Sequence, residues 1–255
     1  MKSLGGTCFA LLVIAGPAGA QTMLDQEQRL IEIHSLLIAL PAPAAPGTYE
    51  PWQASFGLDL VAIPKIDGTT GGKKQITASD RTPLFPRPRL AIGLPAPQDF
   101  HAYAGVAYIP PIAINDVSSH LGALEAGLSW DRGGPLSVGL RAYAVLAESK
   151  SPVTDPNSRD TLDTTDLGAG VSAAYRFDFP IGSLTPFGGV GLTHVSGDFK
   201  VTSDNEVLTA RTWVPNIDAG ASFVTRFGLA ATAQWLVYPG RLVHPVFNVA
   251  WLARF

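Results

Sequence analysis

Residues 166–179 read DLGAGVSAAYRFDF. In alternate positions Leu167, Ala169, Val171, Ala173, Tyr175, Phe177 and Phe179 make one face, and Asp166, Gly168, Gly170, Ser172, Ala174, Arg176 and Asp178 make the other. Successive side chains of a strand point to opposite sides, so a period of two assigns this stretch to a β-strand. One face requires apolar surroundings; the other requires a small, partly polar space.

The same rule holds along the chain. In residues 136–146 the apolar face is Leu136, Val138, Leu140, Ala142, Ala144 and Leu146, and at the C-terminus it is Phe247, Val249, Trp251, Ala253 and Phe255. Further segments run over 54–64, 87–96, 100–110, 119–130, 184–196, 212–224 and 227–238, which makes ten strands with 136–146, 166–179 and 244–255. Strands of about 10 to 14 residues, rising roughly 3.3 Å per residue and tilted near 45°, cross a hydrocarbon slab of about 25 Å. Strands of soluble sandwiches more often have about five or six residues.

The connections give an independent criterion. Residues 65–86, 111–118, 147–165, 197–211 and 239–243 alternate with the tight joins PAPQ, DRGGP, PIGS and TRF. Alternation of long external loops with short periplasmic turns is the rhythm of membrane barrels, and an even strand count returns both ends to one side. The pattern predicts an all-β fold, a closed antiparallel transmembrane β-barrel of about ten strands. Trp52, Trp130, Phe177, Phe179 and Trp251 then fall toward the periplasmic boundary, and Trp213 and Trp235 toward the outer one. With Phe255 they form the expected interface aromatics, because amphipathic rings favour the headgroup level.

Composition agrees. Apolar residues make up 46% of the chain, yet after the first twenty residues no apolar run approaches the roughly 18 of a membrane helix. Lys2, the run CFALLVIAG and the closing AGA read as a secretory signal peptide over 1–20, cleaved after Ala20. The single cysteine, Cys8, lies inside it, so disulfides, thiol catalysis and thiolate metal sites are not expected of the mature chain. Without Lys2, 17 basic residues face 21 acidic ones, a formal charge of −4 that offers no footprint for nucleic acid.

Ahead of the barrel, TMLDQEQRLIEIHSLLIALP predicts an amphipathic helix within 21–41, with Leu30, Ile33, Leu37 and Leu40 on one stripe and Pro41 as its stop. The Pro/Ala-rich stretch 42–51 reads as a stiff linker, and the barrel is assigned to 52–255. The helix has three possible seats: inside the lumen, over the periplasmic mouth, or along the membrane. Contact with the barrel, inside it or at its periplasmic end, is the expectation, with His34 as an ordinary polar contact.

The terminal ladder up to Phe255, the signal peptide and the loop rhythm together resemble Gram-negative outer-membrane β-barrels, over 52–255. The resemblance implies residence in the outer membrane, surrounding lipid, and insertion by the outer-membrane assembly machinery, which in this class reads a terminal aromatic ladder.

The inward parity carries Asp59, Arg89, His101, Glu125, Arg141, Asp166, Arg176, Asp178, Asp218, Gln234 and Arg254. Interspersed charges of both signs favour a paired polar network over a strongly ion-selective pore. Porin-like passage or binding of small solutes, gated by the helix, is the leading functional reading. The alternative is a structural or adhesive barrel with a closed lumen and surface loops.

Catalysis is not expected. His194 and Ser196 share a strand face and Asp198 follows, but a rim hydrolase needs a base within reach of its nucleophile and an orienting partner, which spacing alone does not supply. Asp155, Asp160, Asp163 and Asp166 lack the spacing and glycine of a calcium loop, so neither a metal nor a cofactor is expected. GGVGL at 188–192 reads as room for strand curvature or for close approach of the helix rather than a phosphate loop.

Overall fold

In the computed structural model, described over residues 23–62, 84–114, 117–151, 160–202 and 206–254, one helix, α1 (Met23–Ile38), precedes a single antiparallel sheet. Its strands are β1 (Gln53–Ala62), β2 (Leu84–Leu94), β3 (Phe100–Ile114), β4 (Val117–Trp130), β5 (Leu136–Ser151) and β6 (Asp160–Tyr175). There follow β7 (Phe177–Phe179), β8 (Gly182–Val201), β9 (Glu206–Thr225), β10 (Leu229–Tyr238) and β11 (Leu242–Arg254). The three-residue β7 continues β6 past Arg176, so the eleven segments form ten staves. β1 pairs with β11 and β6 with β8, and the sheet closes on itself. Residues 1–20, expected to be a signal peptide, and Phe255 lie outside the described residues.

The outward face is the apolar one. Phe56, Leu90, Val106, Leu124, Leu140, Leu167, Val190, Ile217 and Val249 are all exposed, Leu124 to 63%. So much bare aliphatic surface, continuous around a closed ring, is stable only against lipid tails. Trp52, Trp130, Phe177, Phe179 and Trp251 are exposed near one end of the staves, with Trp213 and Trp235 toward the other.

The outer end differs from expectation. Most of 147–165 and 197–211 is strand rather than loop: β8 and β9 each run 20 residues. At roughly 3.3 Å per residue and a tilt near 45° they rise about 45 Å, well beyond the 25 Å or so that the hydrocarbon requires. Only residues 115–116 separate β3 from β4 and 203–205 separate β8 from β9, so long and short connections do not strictly alternate. Above Trp213 the polarity of the wall inverts. Leu162, Phe199 and Leu208 pack inward, while Asp163 and Lys200 pair on the outside at 2.6 Å. Leaving the lipid removes the demand for an apolar exterior, and the interior becomes the drier side.

α1 stands inside this ring. Ile31 packs on Leu208 and Ala210 high in the wall, Ile33 and Leu36 pack lower, and Ile38 and Leu40 lower still against Ala107, Ile109, Leu121 and Val145. Tyr49 then stacks on Tyr103 near the periplasmic mouth, with ring centroids 4.8 Å apart. The N-terminal segment therefore threads the lumen from the outer end down to the start of β1. Its burial is not confined to one stripe: Ile31, Ile33, Ser35, Leu36 and Ile38 are all buried because the wall surrounds the helix.

Candidate functional site

The lumen is the site, and inward parity builds it. Asp59 on β1, Arg87 and Arg89 on β2, Glu125 on β4 and Arg141 on β5 all point into the ring. Register places Asp59 directly opposite Arg87. Arg87 Nη2 lies 3.0 Å from Asp59, and Arg89 Nη1 is 3.2 Å from the same carboxylate. Arg89 Nε donates to Glu125 at 2.6 Å and Arg141 Nε to its other oxygen at 3.0 Å, while Asn248 donates to Asp59 at 2.7 Å. Three guanidinium groups thus share two carboxylates. Buried charges persist only when paired and hydrogen-bonded, and this chain of contacts meets that condition with one positive charge in surplus.

The surplus is turned on the threaded segment. Arg87 Nη1 donates to the Ile38 carbonyl at 2.8 Å, Arg141 Nη2 to Leu40 at 2.8 Å and Arg89 Nη2 to Pro41 at 2.9 Å. Below them Gln234 donates to the Ala42 carbonyl at 2.8 Å, Thr232 to Pro43 at 3.4 Å and Ser137 to Pro46 at 2.9 Å. Hydroxyl oxygens accept in return: Ser222 from the Ala45 amide at 3.0 Å and Ser129 from Gly47 at 2.9 Å. The wall therefore holds the segment by its backbone.

Two glycines mark close approach. A Cβ on Gly197 would sit 2.5 Å from Ile31 Cγ2, and one on Gly139 would sit 2.7 Å from Pro46 Cβ. The inward glycines of GGVGL have another use, since Gly189 and Gly191 lie under the Asp218 and Asn216 side chains rather than the helix.

The remaining expected lumen residues separate. His101 meets Asp131 at 3.0 Å near the mouth, and Arg254 pairs with Glu50 at 2.6 Å where the segment leaves the ring. Asp166 is fully buried, but among the described residues neither carboxylate oxygen has a hydrogen-bond partner, and it is not joined to the paired network. Asp218 faces inward over Gly189 without an ion pair to the arginines. Arg176 and Asp178 lie outside the network altogether. Their side chains are 50% and 73% exposed at the mouth, where β7 keeps the register of β6 against β8 and Arg176 lines the vestibule.

Arg87 is the principal residue absent from the sequence reading. It has the same parity as Arg89 two positions later, which is the signal that reveals it. Another is Arg241, which reaches Glu32 of α1 at 2.8 Å from the β10–β11 turn. His34 lies 3.4 Å from the Ser149 hydroxyl.

His194, Ser196 and Asp198 all belong to β8, Asp198 included, and share its outward parity. His194 packs on Trp213 with ring centroids 4.7 Å apart, and Asp198 accepts from Thr209 at 2.7 Å. Among the described residues no cluster of His, Cys, Asp or Glu has the geometry of a metal site.

Around the threaded segment the lumen is nearly filled, with a cavity of about 30 Å³ beside Ala44, Tyr103 and Arg141. The periplasmic mouth opens into a vestibule of about 530 Å³ lined by Glu50, Asp131, Arg176, Arg226 and Arg254.

No protein-family model matches the chain, and no curated protein does. Solved structures give low-identity likenesses. The translocator domain of the autotransporter NalP from Neisseria meningitidis is 13% identical, covering 80% of this chain and 87% of that one, with a TM-score of 0.48. The β domain of the Bordetella autotransporter BrkA is 12% identical over 80% and 98%, with a TM-score of 0.41. The Pseudomonas putida toluene transporter TodX is 13% identical over 80% and 68%, with a TM-score of 0.34. At these identities and scores the likenesses extend to the fold alone. What the structure itself shows is the architecture of a transmembrane β-barrel: a closed antiparallel ring of ten staves, bare and aliphatic outside and bordered by aromatics.

Proposed function

We propose that the protein is an outer-membrane channel closed at rest by its own N-terminal segment, and that porin-like passage of small solutes begins when that segment leaves the lumen. The supporting observation is how the lumen is filled. A vestibule of about 530 Å³ narrows to a residual cavity of about 30 Å³, and what narrows it is residues 31–49, not the wall. The segment is held by side-chain contacts alone, each reversible, and it enters the wall covalently only at Gln53. Outer-membrane residence, surrounding lipid and insertion by the assembly machinery through the terminal ladder belong to the same proposal.

Conductance across a planar bilayer tests it. The intact chain should be largely silent, whereas a variant lacking residues 22–46 should conduct steadily, its folding verified by heat-modifiable gel mobility. A second variant covers the case in which the deletion does not fold. Ile31→Cys with Gly197→Cys joins helix to wall where the two nearly touch. Oxidised, it should stay closed under mild urea that opens the reduced form. A folded, emptied barrel without conductance would overturn the proposal in favour of a sealed structural barrel.

A further inference from the structure

The contacts around residues 38–47 run in one direction. Arg87, Arg141, Arg89, Gln234, Thr232 and Ser137 donate to the carbonyls of Ile38, Leu40, Pro41, Ala42, Pro43 and Pro46. Proline has no backbone N–H, so at 41, 43 and 46 the chain brings acceptors without donors. Two of the amides in this stretch, those of Ala45 and Gly47, donate to the wall, and there hydroxyl oxygens accept. At the three prolines the wall's hydrogen-bonding sense therefore suits the segment, which offers a carbonyl there and no amide.

Specificity follows. Every one of these contacts is to a main-chain atom, so what the wall recognises is an extended, donor-poor backbone rather than particular side chains. Proline also favours the extended form before binding, which lowers the ordering cost. A peptide without the prolines would bring three N–H groups into a wall of guanidinium and hydroxyl donors. A buried amide left unpaired loses its hydration with nothing in return.

We propose that this stretch of the lumen is a binding site for extended proline-rich peptides, which the chain's own residues 38–47 fill in cis and a separate peptide of the same kind can fill in trans. The proposal rests on the reading of the N-terminal segment as displaceable.

The test uses the full chain with a protease site inserted between Glu50 and Pro51, both exposed where the segment leaves the ring. Folded in detergent and then cut, the barrel keeps its N-terminal segment as a non-covalent ligand that mild urea removes. A fluorescent peptide of residues 36–50 should then be retained through gel filtration. The same peptide with Pro41→Ala, Pro43→Ala and Pro46→Ala should bind at least about tenfold more weakly, the effect of roughly 1.4 kcal/mol. Equal binding of the two peptides overturns the proposal. So does failure of the emptied, still heat-modifiable barrel to retain the proline-bearing peptide. Selective binding by a barrel that does not conduct when empty supports the peptide site and overturns only the channel reading.

Discussion

The upper and lower halves of the lumen hold the same segment by opposite means. Around α1 the wall is greasy: Val61, Val195, Val214, Leu236, Leu242 and Val246 enclose Ile33 and Leu36. Below Ile38 the segment is met by Arg87, Arg89, Arg141, Gln234 and four hydroxyls. The difference lies in the segment's own backbone. A helix satisfies the N–H and C=O groups of its middle turns internally and leaves only its first amides and last carbonyls without partners, so its body tolerates a dry socket. An extended, proline-bearing chain satisfies none of its own, so its socket must supply the partners. Arg87 sits where one regime gives way to the other. Its Nη1 reaches the Ile38 carbonyl at 2.8 Å and Ala39 at 3.5 Å, capping the helix with a cation where the dipole favours one.

The largest way to break this contrast is Asp59→Ala. It leaves Arg87 and Arg89 buried without their shared carboxylate, and removing one partner of a buried ion pair costs about 3–5 kcal/mol. We expect the urea midpoint of the heat-modifiable form to fall sharply, and an unchanged midpoint would mean that the charges are not buried. Leu36→Ala acts on the dry half. Leu36 is fully buried, and truncating such a side chain costs about 3 kcal/mol. Here the wall should survive while the segment loosens, read as faster proteolysis within residues 31–49 and more open events in a bilayer. Arg141→Met comes next, at about 2 kcal/mol, since it removes a charge-assisted bond to Leu40 and leaves Glu125 with Arg89. It should increase open events without the collapse expected of Asp59→Ala.

The two halves were unequally legible in the sequence. Alternation in Leu136–Leu146 and Leu167–Phe179 declares the lipid-facing side, because lipid tolerates almost nothing else. Parity alone placed Asp59, Arg89, Glu125 and Arg141 inside. It missed Arg87, which stood at the first residue of its assumed strand, and it did not separate Arg176 and Asp178, exposed at the mouth, from the buried charges above them. Above Trp213, Phe199 and Leu208 turn inward and Lys200 outward, so the search for an apolar exterior registered loop where strand continues. The seat of α1 was the least legible feature. Leu30, Ile33, Leu37 and Leu40 state that the helix must pack, but a stripe names no partner, and only closure of the ring shows that the partner is on every side.

The smallest expected effect belongs to the outer rim, where both halves of the contrast end. Glu32 of α1 meets Arg241 of the β10–β11 turn at 2.8 Å, the single ion pair joining helix to wall among the described residues. The two side chains are 18% and 28% exposed, so solvent screens the pair and it contributes no more than about 1 kcal/mol. Glu32→Gln keeps the shape and removes the charge. It should leave the urea midpoint within error and raise the open probability less than fivefold, with the difference vanishing in about 1 M salt, where the screening length shrinks to about 3 Å. An effect as large as that of Leu36→Ala would move the hold on the helix from the dry socket to this latch, and the division between a greasy upper lumen and a hydrogen-bonding lower one would no longer account for how the segment is kept in place.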